Sequence, residues 1–517
     1  MTLRVFDTLT GRKEEFVPTP GRPVRIYVCG VTPYSETHIG HARPSVFWDV
    51  VRRYLVYRGY GVFLVQNFTD IDDKVIERAR AVGKDPLSVS RAFSEEYLEL
   101  MDLLRVKRAD VHPRVSDHIP DIIEVIRGLV DKGYAYESEG NVWFEVARFS
   151  EYGKLSHRTL DEMKAGARVE VDATKRNWAD FALWKRAKPG EPAWPSPWGP
   201  GRPGWHIECS TMALKYLGSE FDFHGGGTDL IFPHHENEIA QAEAYTGRPF
   251  CRYWLHNAML NLRGEKMSKS LGNVVTLREV LQRAPGGAVR TLLLGAHYRK
   301  ALDFDFELLE ENRRAWRRLN EAADRLRRTV AEREAAQDAA AEHRASARGP
   351  AAAGAPAEGG ADRLALAAAE ARRRFEAAMD DDFNTAGALA ALFDLARLAN
   401  AALDQAEADV PAGGGTRAAG AAGAAEALRV MDDLGGEVLG VVEPPGRGGP
   451  GAPGTTGAAG TAEEVGPLVA LVVEVRDRLR AQRDFGLADF IRDRLTELGY
   501  EVKDTPKGTS VVRKGPR

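Results

Sequence analysis

Between Arg25 and Asp70 the chain reads as strand, helix, strand, which restricts the possible folds more than any other stretch. RIYVCG is a short apolar, β-branched run. From Pro44 to Tyr57 the apolar residues Val46, Phe47, Val50, Val51, Tyr54 and Leu55 recur at helical spacing, and GVFLVQNFTD returns as a second strand. One such βαβ unit implies a parallel sheet with crossover helices. A further helix opens at Asp85-Pro86, an N-cap followed by proline in the first turn, and runs to about Val106.

At 517 residues the chain exceeds one hydrophobic core, so several domains are expected. Its 44% hydrophobic and 28% charged residues exclude fibrous classes. No apolar run reaches the ~18 residues needed to span a bilayer, and MTLRVFDTLTGRKEE lacks the apolar core of a signal peptide, so a cytoplasmic protein without a membrane partner is expected. Three cysteines (Cys29, Cys209, Cys251) cannot form a disulfide framework, and none belongs to a C-x-x-C pair. Any metal site is therefore assembled from distant segments. The formal net charge of −4 argues against a nucleic-acid partner, yet ENRRAWRRLNEAADRLRR gathers Arg313, Arg314, Arg317, Arg318, Arg325, Arg327 and Arg328 on one helix.

Residues 1–115 are read as the first half of an α/β domain. An insertion follows at 116–203, with a helix, a hairpin (YAYESEGNVWF) and a Trp- and Pro-rich loop. The sheet resumes over 204–305, where Thr276 and Glu279 form a capping box. Residues 306–405 are helical. Two Ala/Gly-rich tracts, about 335–360 and 413–460, carry few large apolar residues, so 406–462 is expected to be a flexible linker. Residues 463–517 form a last module, with two amphipathic helices and the strand-like runs YEVKD and SVVRK.

THIGHAR follows the first strand and opens a helix, setting His38 and His41 on one side of its N-terminus. Unpaired N–H groups there favour anions, and Gly40 lets a bulky ligand approach. Alone, H-x-G-H would signify two surface histidines. It is joined by KMSKS, in which Lys266 and Lys269 can neutralise charge developing on a leaving pyrophosphate. A second group is Cys29, Cys209, His234 and Glu238: His234 and Glu238 share one helical face, and both cysteines are expected at strand ends. The residue types suit tetrahedral zinc, whereas spacing equally allows two buried cysteines and a capping histidine.

RIYVCGVTPYSETHIGHARPSVFWDVVRRYL, QNFTDIDDKVIERA, GRPGWHIECSTMAL, FDFHGGGTDLIFPHHENEIAQAEA and KMSKSLGN together resemble the cysteinyl-tRNA synthetases, of the class I aminoacyl-tRNA synthetases. The resemblance continues through Met379–Asn400 and Leu487–Thr509. It implies an α/β fold: a Rossmann-type parallel sheet with an inserted connective domain, a helical bundle and a small C-terminal α+β anticodon-binding module. It also implies L-cysteine, Mg-ATP and tRNA(Cys) as substrates, and a monomer with one zinc per chain. The zinc ligands would be Cys29, Cys209, His234 and Glu238; His235, Glu236 and Cys251 match no ligand position. His38, His41, Lys266 and Lys269 would be catalytic, while Gly40, Gly227, Asp229 and Lys269 would bind ATP. Thr69, Trp205 and His224 would line the amino-acid pocket.

A thiol-preferring metal accounts for rejection of serine, which an apolar pocket separates poorly from cysteine, and the insertion is short for a proofreading domain. Ser35 stands where the family pattern has an acidic residue, and Val511-Val512 replaces a tryptophan. Two rivals are a cysteine ligase of mycothiol biosynthesis, which lacks the terminal module, and a non-catalytic tRNA-binding paralogue, which would lack part of these motifs.

Overall fold

The computed structural model describes residues 2–165, 172–262, 264–266, 274–346, 361–408, 421–445, 492, 495, 500–505 and 508–513. The chain forms two compact units, Met1–Arg447 and Gly448–Arg517.

In the first unit an antiparallel hairpin, β1 (Arg4–Asp7) and β2 (Arg12–Glu15), precedes β3 (Val24–Val28), α1 (Ile39–Tyr57) and β4 (Val62–Gln66). Helix α2 (Asp73–Val82) is capped by Asp72, whose side chain accepts from the Lys74 N–H, and α3 (Pro86–Leu103) by Asp85, which accepts from Ser88. The insertion contributes α4 (Ile119–Asp131), β5 (Ala135–Ser138), β6 (Asn141–Phe144), α5 (Leu160–Ala165), β7 (Phe181–Arg186) and β8 (Gly201–Pro203). Its strands pair in the order β5-β6-β7-β8, all antiparallel. The segment expected as a Trp- and Pro-rich loop thus supplies two strands of a separate sheet.

Helix α6 (Trp205–Leu217), β9 (Phe221–Gly227), α7 (Glu236–Thr246) and β10 (Cys251–Asn257) complete the central sheet, in parallel order β10-β9-β3-β4. The chain leaves β3 in both directions, so a crevice opens at the carboxyl ends of β3 and β9, where open α/β sheets bind ligands. The sheet is covered on both faces: Ile26 and Val28 pack into one hydrophobic core and Tyr27 into the other. Strands β11 (Leu260–Leu262), β12 (Glu265–Lys266) and β13 (Leu302–Phe304) form a three-stranded sheet, with α8 (Leu277–Arg283) and α9 (Gly286–Leu294) between the last two. The Thr276 hydroxyl accepts from Glu279 N–H at 3.2 Å and starts α8.

Helices α10 (Phe306–Ser346), α11 (Ala361–Asp380), α12 (Thr385–Ala408) and α13 (Ala421–Val430) form the bundle. Helix α12 is long and apolar enough to cross a membrane by length and composition, with a mean hydropathy of 1.4 over Thr385–Ala406. Its stripe of Ala388, Leu392, Leu395, Ala399 and Leu403 is buried in the protein core. The expected linker 406–462 is corrected in part: α13 and the helical turn Met431–Val438 bury Val430, Met431, Leu434, Val438, Val441 and Val442. The second unit contains the antiparallel hairpin β14 (Tyr500–Thr505) and β15 (Gly508–Arg513). Val511-Val512 lies on β15.

Candidate functional site

Cys29 follows the last residue of β3, and its N–H donates to the Gly225 carbonyl of β9 at 3.0 Å, which fixes it at the crevice. Cys209 lies in the second turn of α6, a correction to the expected strand end: WHIECSTMALKYL is one continuous helix. His234 lies in the tight turn Ile231–His235 before α7, and Glu238 sits in the first turn of α7. These four residues offer ligand atoms within 4.8 Å of one another. Cys29 Sγ is 3.7 Å from Cys209 Sγ and 3.3 Å from Glu238 Oε1, and His234 Nε2 is 2.9 Å from the same oxygen. Two sulfurs, an imidazole and a carboxylate, nearly all buried, match the donor chemistry of zinc.

A second grouping, Cys29, His224, His235 and Glu238, shares two members with the first, so a single ion would occupy one set. The second set brings one sulfur where the first brings two. Its imidazoles also make hydrogen bonds to the first set and to residues behind it. His224 Nε2 binds Glu238 Oε2 at 2.8 Å, leaving Oε1 toward the cysteines, and its ring stacks on Trp254. His235 spans Cys29 Sγ (3.3 Å) and His256 Nε2 (2.8 Å), and His256 Nδ1 meets Thr8 Oγ1 at 2.7 Å. Ligands oriented by such outer partners hold their geometry before a metal arrives.

The charges follow from burial and proximity. The Cys29 hydrogen bond, with help from His234, holds the Cys209 thiol down at about 6 against burial. Burial opposes protonation of His234, but Glu238 and Cys209 outweigh it and push the ring up to about 10. Glu238 stays ionised despite burial, through His224 and His234. Burial and the neighbouring Cys209 raise Cys29 well above the usual thiol value.

His38 is the N-cap of α1, and the His38 and His41 rings stack with centroids 3.6 Å apart. The Ile39 N–H donates to Val275 O (3.2 Å) and the Leu277 N–H to Thr37 O (2.8 Å), tying this helix start to the chain that follows the lysine loop. Lys266 enters that loop from β12, while Lys269 lies outside the described residues. Gly40 is the second residue of α1; Gly227 ends β9 and Asp229 follows in an exposed turn.

Of the residues expected at the amino-acid pocket, Trp205 is 38% exposed and stacks on His234 at 4.4 Å. Thr69 is buried, its Oγ1 3.3 Å from Asn67 Nδ2, and Asn67 Oδ1 accepts from Gly30 N–H at 2.9 Å. Gly30 passes so close to this loop that a Cβ there would lie 1.6 Å from the Asn67 carbonyl oxygen. His224 is fully buried on β9 behind Glu238. The sequence reading did not single out His206, whose Nδ1 meets His234 Nδ1 at 3.0 Å, nor Asn67, His256 and Glu208. His206 and Glu208 were visible only as neighbours of Cys209 in WHIEC.

Residues 15–314 match the family model "tRNA synthetases class I (C) catalytic domain", and residues 374–443 match the "DALR domain". In fold the chain is similar to Mycobacterium tuberculosis methionyl-tRNA synthetase, solved with methionyl-adenylate, with TM-score 0.61 and 18% identity over 81% of this chain and 92% of that one. Curated relatives named cysteine-tRNA ligase match throughout. The Carboxydothermus hydrogenoformans protein is 49% identical over 506 residues, 98% of this chain and 99% of its own. The Moorella thermoacetica protein is 51% identical over 515 residues, 98% of each. The fold and site define a class I aminoacyl-tRNA synthetase. Within that class, the chain belongs to the cysteine-tRNA ligase family.

Proposed function

We propose that the chain activates L-cysteine with Mg-ATP to cysteinyl-adenylate and transfers cysteine to the 3′ end of tRNA(Cys), releasing pyrophosphate and AMP. The observation that carries this reading is the convergence of Cys29, Cys209, His234 and Glu238 at the sheet crevice, in the domain whose α1 begins with the stacked His38–His41 pair. Zinc held by these four residues would supply a Lewis acid that prefers a thiol over a hydroxyl. On this reading the protein acts in the cytoplasm as a monomer with one zinc per chain.

The protein's part is positioning and charge compensation. The cysteine carboxylate attacks the α-phosphorus in line, and the α1 N-terminus with His38 and His41 accommodates the phosphates. Both ends of the lysine loop are anchored, by β12 pairing with β11 and by the bonds from Ile39 and Leu277, so Lys266 and Lys269 can be delivered to the departing pyrophosphate. Gly227 and Asp229, at the end of β9, would receive the ATP ribose. Trp205 and Thr69 would confine the amino acid. The mycothiol-pathway reading lacks support, because the relatives match across nearly the full chain, terminal module included.

Cysteine-dependent exchange of pyrophosphate into ATP, followed by charging of tRNA, tests the reading. Lys269→Ala should slow exchange by roughly a hundredfold or more. A wild-type protein that performs no exchange would overturn it.

A further inference from the structure

Glu208 precedes Cys209 on α6 and is 1% exposed, yet it faces a cavity of about 400 Å³. Trp205 and His206, which touch His234, line the same cavity, so it borders the cysteine and histidine ligands. The Thr69 hydroxyl hydrogen-bonds the Glu208 carboxyl, but Glu208 Oε2 has no partner. The charged groups that act on Glu208, Cys209 first and then Asp72 and Asp70, are all acidic. The cations on the cavity wall are engaged elsewhere: Lys185 and Arg202 bind Asp73, and Lys175 lies over the Trp143 ring. A buried carboxylate oxygen left unpaired is costly and calls for a partner, and this one borders a cavity large enough to admit a ligand.

We propose that Glu208 is the counter-charge for the α-ammonium group of the amino-acid substrate. The inference rests on the reading of the site as a cysteine pocket. In cysteine the sulfur and nitrogen are borne by adjacent carbons, so a thiol held among Cys29, Cys209, His234 and Glu238 carries its ammonium within reach of the residue next to Cys209. Glu208 Oε2 accepts from that ammonium, while the Thr69 hydroxyl fixes the carboxyl plane. Such a charge-assisted bond is worth more than a neutral one and is lost by any ligand without the amino group.

The test is calorimetric binding of L-cysteine and of 3-mercaptopropionate, which lacks the amine, to zinc-loaded wild type, Glu208→Gln and Glu208→Asp. Wild type should prefer cysteine. In Glu208→Gln the preference should shrink roughly ten- to hundredfold, chiefly through weaker cysteine binding, with zinc content and melting temperature unchanged. Glu208→Asp, which keeps the charge, should recover part of the preference and covers the case in which Glu208→Gln does not fold. If Glu208→Gln weakened both ligands equally, or neither, Glu208 would be a buttress for Thr69 and the proposal would fail while the cysteine pocket stood. Wild type that bound neither ligand would overturn both.

Discussion

Glu238 shows how a single side chain can set a site. One carboxylate oxygen is taken by His224, a fully buried ring on β9, and the other faces Cys29 and His234. Replacing a ligand should therefore damage metal binding more than the fold: Cys209→Ser, a poor hydroxyl ligand, should lower zinc per chain and raise the KM for cysteine by roughly tenfold or more, with that for ATP little changed. Metal analysis and exchange kinetics on one sample check this. His256 gives an acid-side expectation. Burial lowers its pKa from 6.5 to about 3, so its contribution to stability is complete above the unfolded value and is lost as pH falls from about 6.5 towards 3. Melting curves of metal-free protein should show that decline, and a shallower one in His256→Gln. Scarce cysteine and the four-residue spacing of His234 and Glu238 make Cys29, Cys209 and this pair candidates in the sequence, but only the family resemblance favours a ligand set over two buried cysteines and a capping histidine. Glu208 could not be read from sequence, since its meaning depends on which side of α6 meets the Asn67–Asp72 loop, a tertiary fact.

At the scale of elements, the segment Glu437–Glu443 works through its backbone. Arg290 Nε donates to Leu439 O (2.8 Å), Arg105 to Gly440 O and Val442 O, Arg53 to Glu437 O (3.0 Å), and the Trp316 indole N–H to Val441 O (2.8 Å). Asp49, buried in α1, pairs with both Arg53 and Arg290 and makes their burial tolerable. Trp316→Phe removes one of these donors. Asn320 also donates to Val441 O, so the loss should be about 1 kcal/mol in urea unfolding rather than the cost of an orphaned carbonyl. Composition concealed this element, because alanine and glycine around it dilute Val430, Leu434, Val438 and Leu439. The Arg-rich stretch of α10 is only in part a basic surface. Arg325 reaches Asp404 and Arg327 reaches Asp432, so these two serve the bundle rather than an open basic face.

For the whole molecule, the βαβ pattern, the insertion and the helical half could be read from the periodicity of apolar residues, whereas the separate sheet of the insertion could not, because β7 and β8 pair across a long loop. The division after Arg447 offers a clean cut. A chain truncated at Gly460 should keep cysteine-dependent exchange and lose charging by roughly tenfold or more, with the salt dependence of what remains reduced; equal charging by the two forms would assign the terminal module another role. The arginine-bound segment also has a consequence for how the chain is made. The bond from Arg53 to Glu437 joins residues 384 positions apart, and that from Phe6 to Asp382 joins residues 376 apart. At about 5–20 residues per second on the ribosome, Arg53 waits roughly 20–80 s for its partner. Through that interval the Arg53 guanidinium and the Phe6 N–H lack the partners they meet in the finished protein, so the nascent catalytic half is expected to be more open to protease than the complete chain.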